Sequence, residues 1–233
     1  MSDEVRSTRA ENDTEDAIIS RRSIRGFAET PLDRSLVAHL LDVASHAPSG
    51  SNIQPWKVHV LMGTALAALC EELTSAYLAG EPERPEYHYY PREWRSPYID
   101  RRRKTGWGLY AHTGVAKGDH EAGVRQRARN YRFFDAPVGM IFLIDRDMEQ
   151  GSWLDYGMFL QNIMVAARAR GLDTCPQQSM ANYPDIVGRH IAIDANEMIV
   201  CGMALGHANP DEPANRLVTP REPAAGFARF HGI

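Results

Sequence analysis

The stretch PVGMIFLID, residues 137–145, decides what kind of fold this chain makes. Its apolar residues run without alternation and favour β structure, the pattern of a strand covered on both faces. A second such run, EMIVCGMALG, occupies 197–206. Between them GSWLDYGMFLQNIMVAARARGL, 151–172, has the spacing of a long helix ending at Gly171. Doubly buried strands separated by a long helix imply one α+β unit.

Working outward, WKVHVLM at 56–62 alternates Trp56, Val58, Val60 and Met62 against Lys57 and His59, which predicts a strand with one face in the core. The helix that follows carries Leu66, Leu69, Leu73 and Tyr77 on one side and stops at Gly80. Upstream, Leu36, Val37, Leu40, Leu41 and Ala44 predict a helix starting at Asp33, and EDAIISRR a shorter one capped by Asp13 or Thr14. Residues 1–13 read as a mobile polar lead. From 81 to 132 the pattern breaks: Pro82, Pro85, Pro91 and Pro97 fall among many aromatics, so the segment reads as an insertion, a lid or a substrate-facing wall. DTCPQQSMANY, 173–183, reads as a connecting turn. The proline-rich tail, 207–233, suits an arm that wraps a neighbour, such as a second subunit. The whole chain, 1–233, is expected to be a single domain.

Composition narrows the function. A 43% apolar content supports a sizeable core, and 26 Lys+Arg against 30 Asp+Glu, net charge -4, gives no global field for nucleic acid or anionic membrane. Cys70, Cys175 and Cys201 form no CxxC pattern, so neither a disulfide framework nor structural zinc is expected and a reducing cytoplasm is. The nine histidines have no metal-ligand spacing, and no segment has the length to span a bilayer. A P-loop, HExxH and GxSxG are absent, and GWGLYAHTG at 106–114 has Ala111 where a dinucleotide fingerprint needs its third glycine.

Against that background RRSIRGF, 21–27, is a local knot of positive charge. Its guanidinium groups and serine hydroxyl suit a terminal phosphate, while arginines at a helix end also complement its dipole. APSGSNIQPW, 47–56, offers Ser49, Ser51, Asn52 and Gln54 either to a polar planar ligand or to a hydrogen-bonded turn. LDTCPQQSM, 172–180, and PANRLVTPREP, 213–223, add two amides, Arg216 and Arg221.

Taken together and in this order, these motifs resemble those of the FMN-dependent nitroreductase family. RRSIRGF is similar to its opening Arg-(Arg/His)-Ser-x-(Arg/Lys) motif, APSGSNIQPW to its Ala-Pro-Ser-x-x-Asn-x-Gln-Pro-Trp loop, and GMFLQNIMVAARARGL to its central helix. YPREWRSPYIDRRRKTGWGLY at 90–110 and the GSW at 151–153 resemble the oxygen-insensitive nitroaromatic and nitrobenzoate reductases within it. The resemblance implies a central mixed or antiparallel sheet flanked by helices, in an intertwined homodimer with exchanged C-terminal segments and a flavin at each interface. It implies FMN contacts from Arg21, Arg22, Ser23, Arg25 and Arg221 at the phosphate and ribityl end, with Arg22 alternatively at the ring edge. Pro48, Ser49, Gly50, Asn52 and Gln54 would serve the partner subunit's cofactor, and Asp155 the ribityl chain. Pro176, Gln177, Gln178 and Ser179 would lie along the isoalloxazine, with the Gln178 backbone N–H near flavin N5. Gln178 and Ser179 stand where some relatives have Glu and Gly, which changes the charge beside the ring.

The activity so implied is two-electron, ping-pong hydride transfer: NADH or NADPH reduces FMN, which carries nitroaromatics to nitroso and hydroxylamine products. FMN would carry the chemistry, with no catalytic side chain and no metal. For the acceptor, Tyr90, Trp94, Tyr98 and Trp107, with Tyr87 and Tyr89, could stack on an aromatic ring, and Arg92, Arg95 or the run 101–104 could meet a carboxylate; equally, these aromatics could anchor the insertion. The fold also leaves open quinone or enone reduction, dehalogenation or flavin breakdown, and from another class a nucleic-acid-binding protein using RRRK.

Overall fold

In the computed structural model, which describes residues 9–232, the sheet has four strands, all paired antiparallel in the order β1-β2-β4-β3. They are β1 (Lys57–Met62), β2 (Val138–Asp145), β3 (Asp173–Gln177) and β4 (Glu197–Gly206). The helices are α1 (Asp13–Ser20), α2 (Arg34–Ala44), α3 (Gly63–Leu78), α4 (Tyr98–Thr113), α5 (His120–Ala128), α6 (Gln150–Arg168), α7 (Pro184–His190) and a last turn, α8 (Ala224–Phe227). Positions 1–8 of the expected polar lead lie outside the described residues.

The central pair β2 and β4 is buried on both sides, as continuous apolar runs require. Alternation along β2 divides the core. Val138, Met140, Phe142 and Ile144 pack with Val37 and Leu40 of α2 and Phe159 and Ile163 of α6, while Ile141 and Leu143 pack with Leu66, Leu69 and Leu73 of α3. Gly139 is required by this second layer: a Cβ there would come within 2.6 Å of Leu66 Cδ1 and 3.0 Å of the Phe133 ring. The result is a sheet with helices on both faces, and one end of it carries the site.

Several expectations are corrected. The 173–183 connector contains strand β3, paired with β4 from Asp173 opposite Gly206 to Gln177 opposite Gly202. Pro176 in its middle had argued for a turn, but β3 is an edge strand, where proline is tolerated. Asn12, not Asp13 or Thr14, caps α1, its side chain accepting from Glu15 N at 3.0 Å. In β1 the best buried residue is Leu61, whereas Val60 is exposed, because this edge strand packs on α3 as well as on the α2/α6 side. The 81–132 segment is not wholly peripheral. It includes α4, in which no residue is buried, and α5, but its end turns into the core at Tyr131, followed by Phe133 and Phe134. The tail is fastened to its own chain by bonds such as Ala28 N to His207 O (2.9 Å) and Asn209 N to Gly26 O (2.9 Å) and, further on, by the ion pair of Glu222 with Arg101 (3.0 Å), while its Val218, Phe227 and Phe230 side chains stay exposed.

Candidate active site

After α1 the chain extends alongside β3. Ser23 and Thr174 form a parallel bridge, Ile24 N donates to Thr174 O at 3.1 Å, and Phe27 N to Phe134 O at 3.1 Å. Ile24 and Phe27 are buried in the core and hold the segment. Extended backbone turns alternate side chains to one side, so Arg21, Ser23 and Arg25 share a half-buried face.

This face is a convergence of positive charge. Burial, and then repulsion from Arg221, lower the pKa of Arg21 below its ordinary value. Burial pushes the neighbouring Cys175 thiol up to about 11, opposed by the charges of Arg25 and Arg21. Among the described residues none of Arg21, Arg25 and Arg221 has a carboxylate ion-pair partner. Guanidinium groups gathered from both ends of the chain without a counter-charge are poised for an anion that can be gripped from several directions. Asn215 locks the arrangement: its Oδ1 accepts from Arg25 N (2.7 Å), and its Nδ2 donates to Gly26 O (2.8 Å) and Asn209 O (3.0 Å). Arg22 is turned outward, and its Nη1 donates to Asn215 O at 3.1 Å.

From the arginines, β3 leads to a cavity of about 670 Å³. Thr174 to Gln178 covers about 13 Å at a strand's rise per residue, so charge and cavity are separated by a small-molecule length. Pro176, Gln177 and Gln178 line the cavity. Among the described residues, three of the five buried side-chain polar atoms with no partner lie on this stretch: Thr174 Oγ1, Gln177 Oε1 and Ser179 Oγ. Buried polar atoms are normally paired, so their concentration here marks a surface prepared for a ligand's polar groups. Gln177 is fixed by its other end, Nε2 donating to Asn130 O at 2.6 Å.

The cavity's opposite wall comes from α6 and the base of the insertion. Tyr87 donates through its hydroxyl to Val200 O, and its ring lies 4.8 Å from that of Trp153. The Tyr156 hydroxyl lies between Leu143 O (2.9 Å) and Lys57 O (3.0 Å), either of which can accept its one hydrogen, with Tyr89, Leu160 and Cys201 completing a largely aromatic enclosure. Sequence reasoning named Tyr87 and Tyr89 only among many aromatics and missed Trp153, Tyr156 and Cys201. The GSW in the first turn of α6 was the available signal for Trp153; Tyr156 and Cys201 look like ordinary core residues.

The other expected acceptor contacts lie elsewhere in this chain. Tyr90 and Trp94 meet at a tilt of 43° with ring centres 5.2 Å apart, and Arg102 lies 4.7 Å from the Trp94 ring; Arg95 lies over Tyr98 at 5.4 Å, and Trp107 meets Tyr110 at 6.3 Å. None of these lines the cavity. The 48–54 loop is also apart. It is exposed and uses left-handed backbone at Ser51, Asn52 and Gln54, supported by Gln54 N donating to Ser49 Oγ at 3.0 Å. Asp155 does not reach the arginines: its Oδ2 accepts from Gly50 N at 3.0 Å and tethers this loop to α6. Arg168, near the other end of α6, bonds Ser20 Oγ (3.0 Å) and Asp173 Oδ1 (3.2 Å) beside the arginine segment. The helix rise between Asp155 and Arg168 puts loop and arginines about 20 Å apart within one chain. Pro48 and Gly50 travel with that loop.

Comparison with known proteins fits this geometry. The model of the Nitroreductase family matches residues 18–207, from within α1 to just past β4. The chain belongs to the nitroreductase family. Its relatives include a 4-nitrobenzoate reductase of Pseudomonas putida, 40% identical over 95% of this chain and 97% of that protein, and a chloronitrobenzene nitroreductase of Comamonas testosteroni, 38% identical over 93% and 96%. Among solved structures, the FMN and NADPH-dependent nitroreductase NfnB from Sphigopyxis sp. strain HMH superposes with a TM-score of 0.90 at 34% identity, covering 94% of this chain and 99% of that one. The FMN-dependent NfnB from Mycobacterium smegmatis, solved in complex with NADPH, gives 0.89 at 27% identity, over 94% of this chain and 98% of its own. This family's architecture is therefore the one seen here. Among the described residues no cluster of His, Cys, Asp and Glu is placed to hold a metal, and no helix is long and apolar enough to cross a membrane.

Proposed function

We propose that this member of the family is an FMN-dependent oxidoreductase that takes electrons from NADPH or NADH and reduces nitroaromatic compounds. The observation that carries the reading is the uncompensated cluster of Arg21, Arg25 and Arg221 at one end of β3, with an aromatic cavity and partnerless buried polar atoms at the other. These residues fit FMN: a dianionic phosphate for the guanidiniums and Ser23, hydroxyls for Thr174 and its neighbours, and a flat ring for the turn at Pro176, Gln177, Gln178 and Ser179. Bound FMN would supply the two-electron chemistry, accepting hydride from the nicotinamide and passing electrons to the nitro group. The protein's part is to hold, orient and exclude. The arginines and Ser23 would grip the phosphate, the backbone N–H of Gln178 would be available to the reactive edge of the ring, and the Tyr87 and Trp153 rings would close the acceptor's space. Donor and acceptor would use that space in turn, which gives ping-pong kinetics.

The two catalytic halves also suggest a homodimer. The 48–54 loop cannot reach its own chain's arginines, so its polar groups would complete the site of a second copy. The exposed Leu154 and Met158 on α6, and Ile53 in the loop itself, supply apolar surface for that contact. The tail's exposed Phe227 and Phe230 would lie along the same partner. The test is NADPH oxidation by the flavin-loaded protein with and without nitrobenzene. Oxidation that rises with the nitroarene and yields its hydroxylamine supports the reading; oxidation indifferent to it points to another acceptor class.

A further inference from the structure

The arginine segment has an acid packed against it. Glu212, in the returning tail, lies over Gly26 so closely that a Cβ on that glycine would come within 2.1 Å of the Glu212 Cγ, and Gly26 directly follows Arg25. Both carboxylate oxygens of Glu212 are engaged. Oε1 accepts from Ala214 N at 3.2 Å and so begins the turn, Pro213–Arg216, that carries Asn215, while Oε2 is held by Arg129 Nη2 at 2.9 Å. This pair is largely shielded from water, with side-chain exposures of 23% for Arg129 and 16% for Glu212. The other carboxylate near Arg129, Asp135 at 3.5 Å, is also bound by Arg132 at 2.9 Å. Arg25, by contrast, donates through Nη1 to Ser23 O at 3.2 Å and has no carboxylate partner among the described residues.

Resting on the reading of the arginine face as the FMN phosphate site, we infer that Arg129 is a positioning residue for the cofactor. By holding and neutralising the Glu212 carboxylate it keeps an internal anion off Arg25 and leaves the face open to the phosphate. Without the Arg129 guanidinium, one oxygen of a poorly hydrated carboxylate would lose its partner, which is costly enough to drive it toward another cation. Arg25 is the cation next to the glycine on which Glu212 is packed, and a phosphate would then have to displace an ion pair to bind. The effect is confined to the phosphate end. At the ring end the same stretch acts through its main chain, Asn130 O accepting from Gln177 Nε2 at 2.6 Å, and this bond does not need the Arg129 side chain. The arginine segment also keeps its own anchors, Phe27 N to Phe134 O (3.1 Å) and Asn209 N to Gly26 O (2.9 Å).

The experiment titrates flavin-free protein with FMN and with riboflavin, followed by flavin fluorescence, for wild type, Arg129→Met, Glu212→Gln and the double variant, each with a melting curve. Arg129→Met should bind FMN about tenfold more weakly, the scale of one charge-assisted hydrogen bond, and riboflavin within about twofold of wild type. The double variant has no carboxylate to release and should recover FMN affinity to within about threefold of wild type. Glu212→Gln alone should bind FMN at least as tightly as wild type, and this arm decides the matter if Arg129→Met does not fold. A purely structural Arg129 would weaken both flavins together and show no recovery in the double variant. Either of those results, an Arg129→Met protein that binds FMN like wild type, or weaker FMN binding by Glu212→Gln overturns the inference. Wild-type protein that holds riboflavin as tightly as FMN would instead remove the phosphate site itself and the inference with it, whereas a wild type that prefers FMN keeps that site whatever the variants do.

Discussion

Replacing Arg21 by alanine should separate anion binding from folding, because the two respond in opposite directions. In the flavin-free protein this guanidinium is half-buried, repelled by Arg221 and without a carboxylate partner among the described residues, so its removal orphans no opposite charge. Its backbone contribution, N–H to Ala17 O at 3.3 Å, survives the change. Thermal stability of flavin-free Arg21→Ala should therefore equal or exceed that of the wild type. Binding of FMN should suffer instead. Charge-assisted hydrogen bonds are worth about 1.5–3 kcal/mol, which corresponds to a loss of roughly ten- to a hundredfold in affinity. The assay is quenching of flavin fluorescence on titration into flavin-free protein, alongside a melting curve without ligand. Riboflavin, which lacks the phosphate, is the control and should bind wild type and variant alike. A variant that binds FMN as tightly as the wild type, or that melts several degrees lower without flavin, would refute the phosphate assignment and leave Arg21 a structural residue.

Asn215→Leu removes three side-chain hydrogen bonds, two of which tie the arginine segment to the tail, and should cost about 2–3 kcal/mol in denaturant unfolding together with much of the retained flavin. Gly139→Ala should destabilise by roughly 1–3 kcal/mol through overpacking against Leu66 and Phe133, visible as a lower melting temperature with FMN affinity preserved in the folded fraction. The hydrogen bond from Lys57 holds the Glu197 carboxyl below its usual range, and those from Arg189 and His190 do the same for Glu72. Carboxylates depressed in the folded state contribute stability above their unfolded pKa, near 4.3, and lose it as pH falls through the lower folded values. Urea midpoints should thus hold level from pH 7 to about 5 and fall below about 4.5, with a shallower acid slope in Glu197→Gln.

Much of the fold could be read in the chain because β2, β4 and α6 carry unambiguous patterns: unbroken apolar runs for strands buried on both faces, and a long amphipathic repeat ending in glycine. β3 was hidden because Pro176 and two glutamines are poor strand formers, and only its pairing with β4 holds it extended. The core role of Tyr131, Phe133 and Phe134 was hidden because a run of left-handed backbone from Phe133 to Asp135 has no periodicity to detect. In the site, the arginine motif was legible as local charge, yet its convergence with Arg221, two hundred residues away, depends on the tail returning along Gly26 and Phe27. Asp155 illustrates the opposite case: a polar residue in the right helix that the fold commits to the 48–54 loop. The cavity walls were least legible, since Trp153, Tyr156 and Cys201 differ from core residues only in standing where β3 ends and leaves β4 uncovered.

The account depends above all on what the arginines at the head of β3 hold. The direct measurement is the visible spectrum of the freshly purified protein, followed by heat release and mass analysis of whatever absorbs. The account predicts a flavin spectrum and the mass of FMN, with the chromophore diminished in Arg21→Ala. A folded, colourless protein that also fails to bind FMN when it is supplied would contradict it.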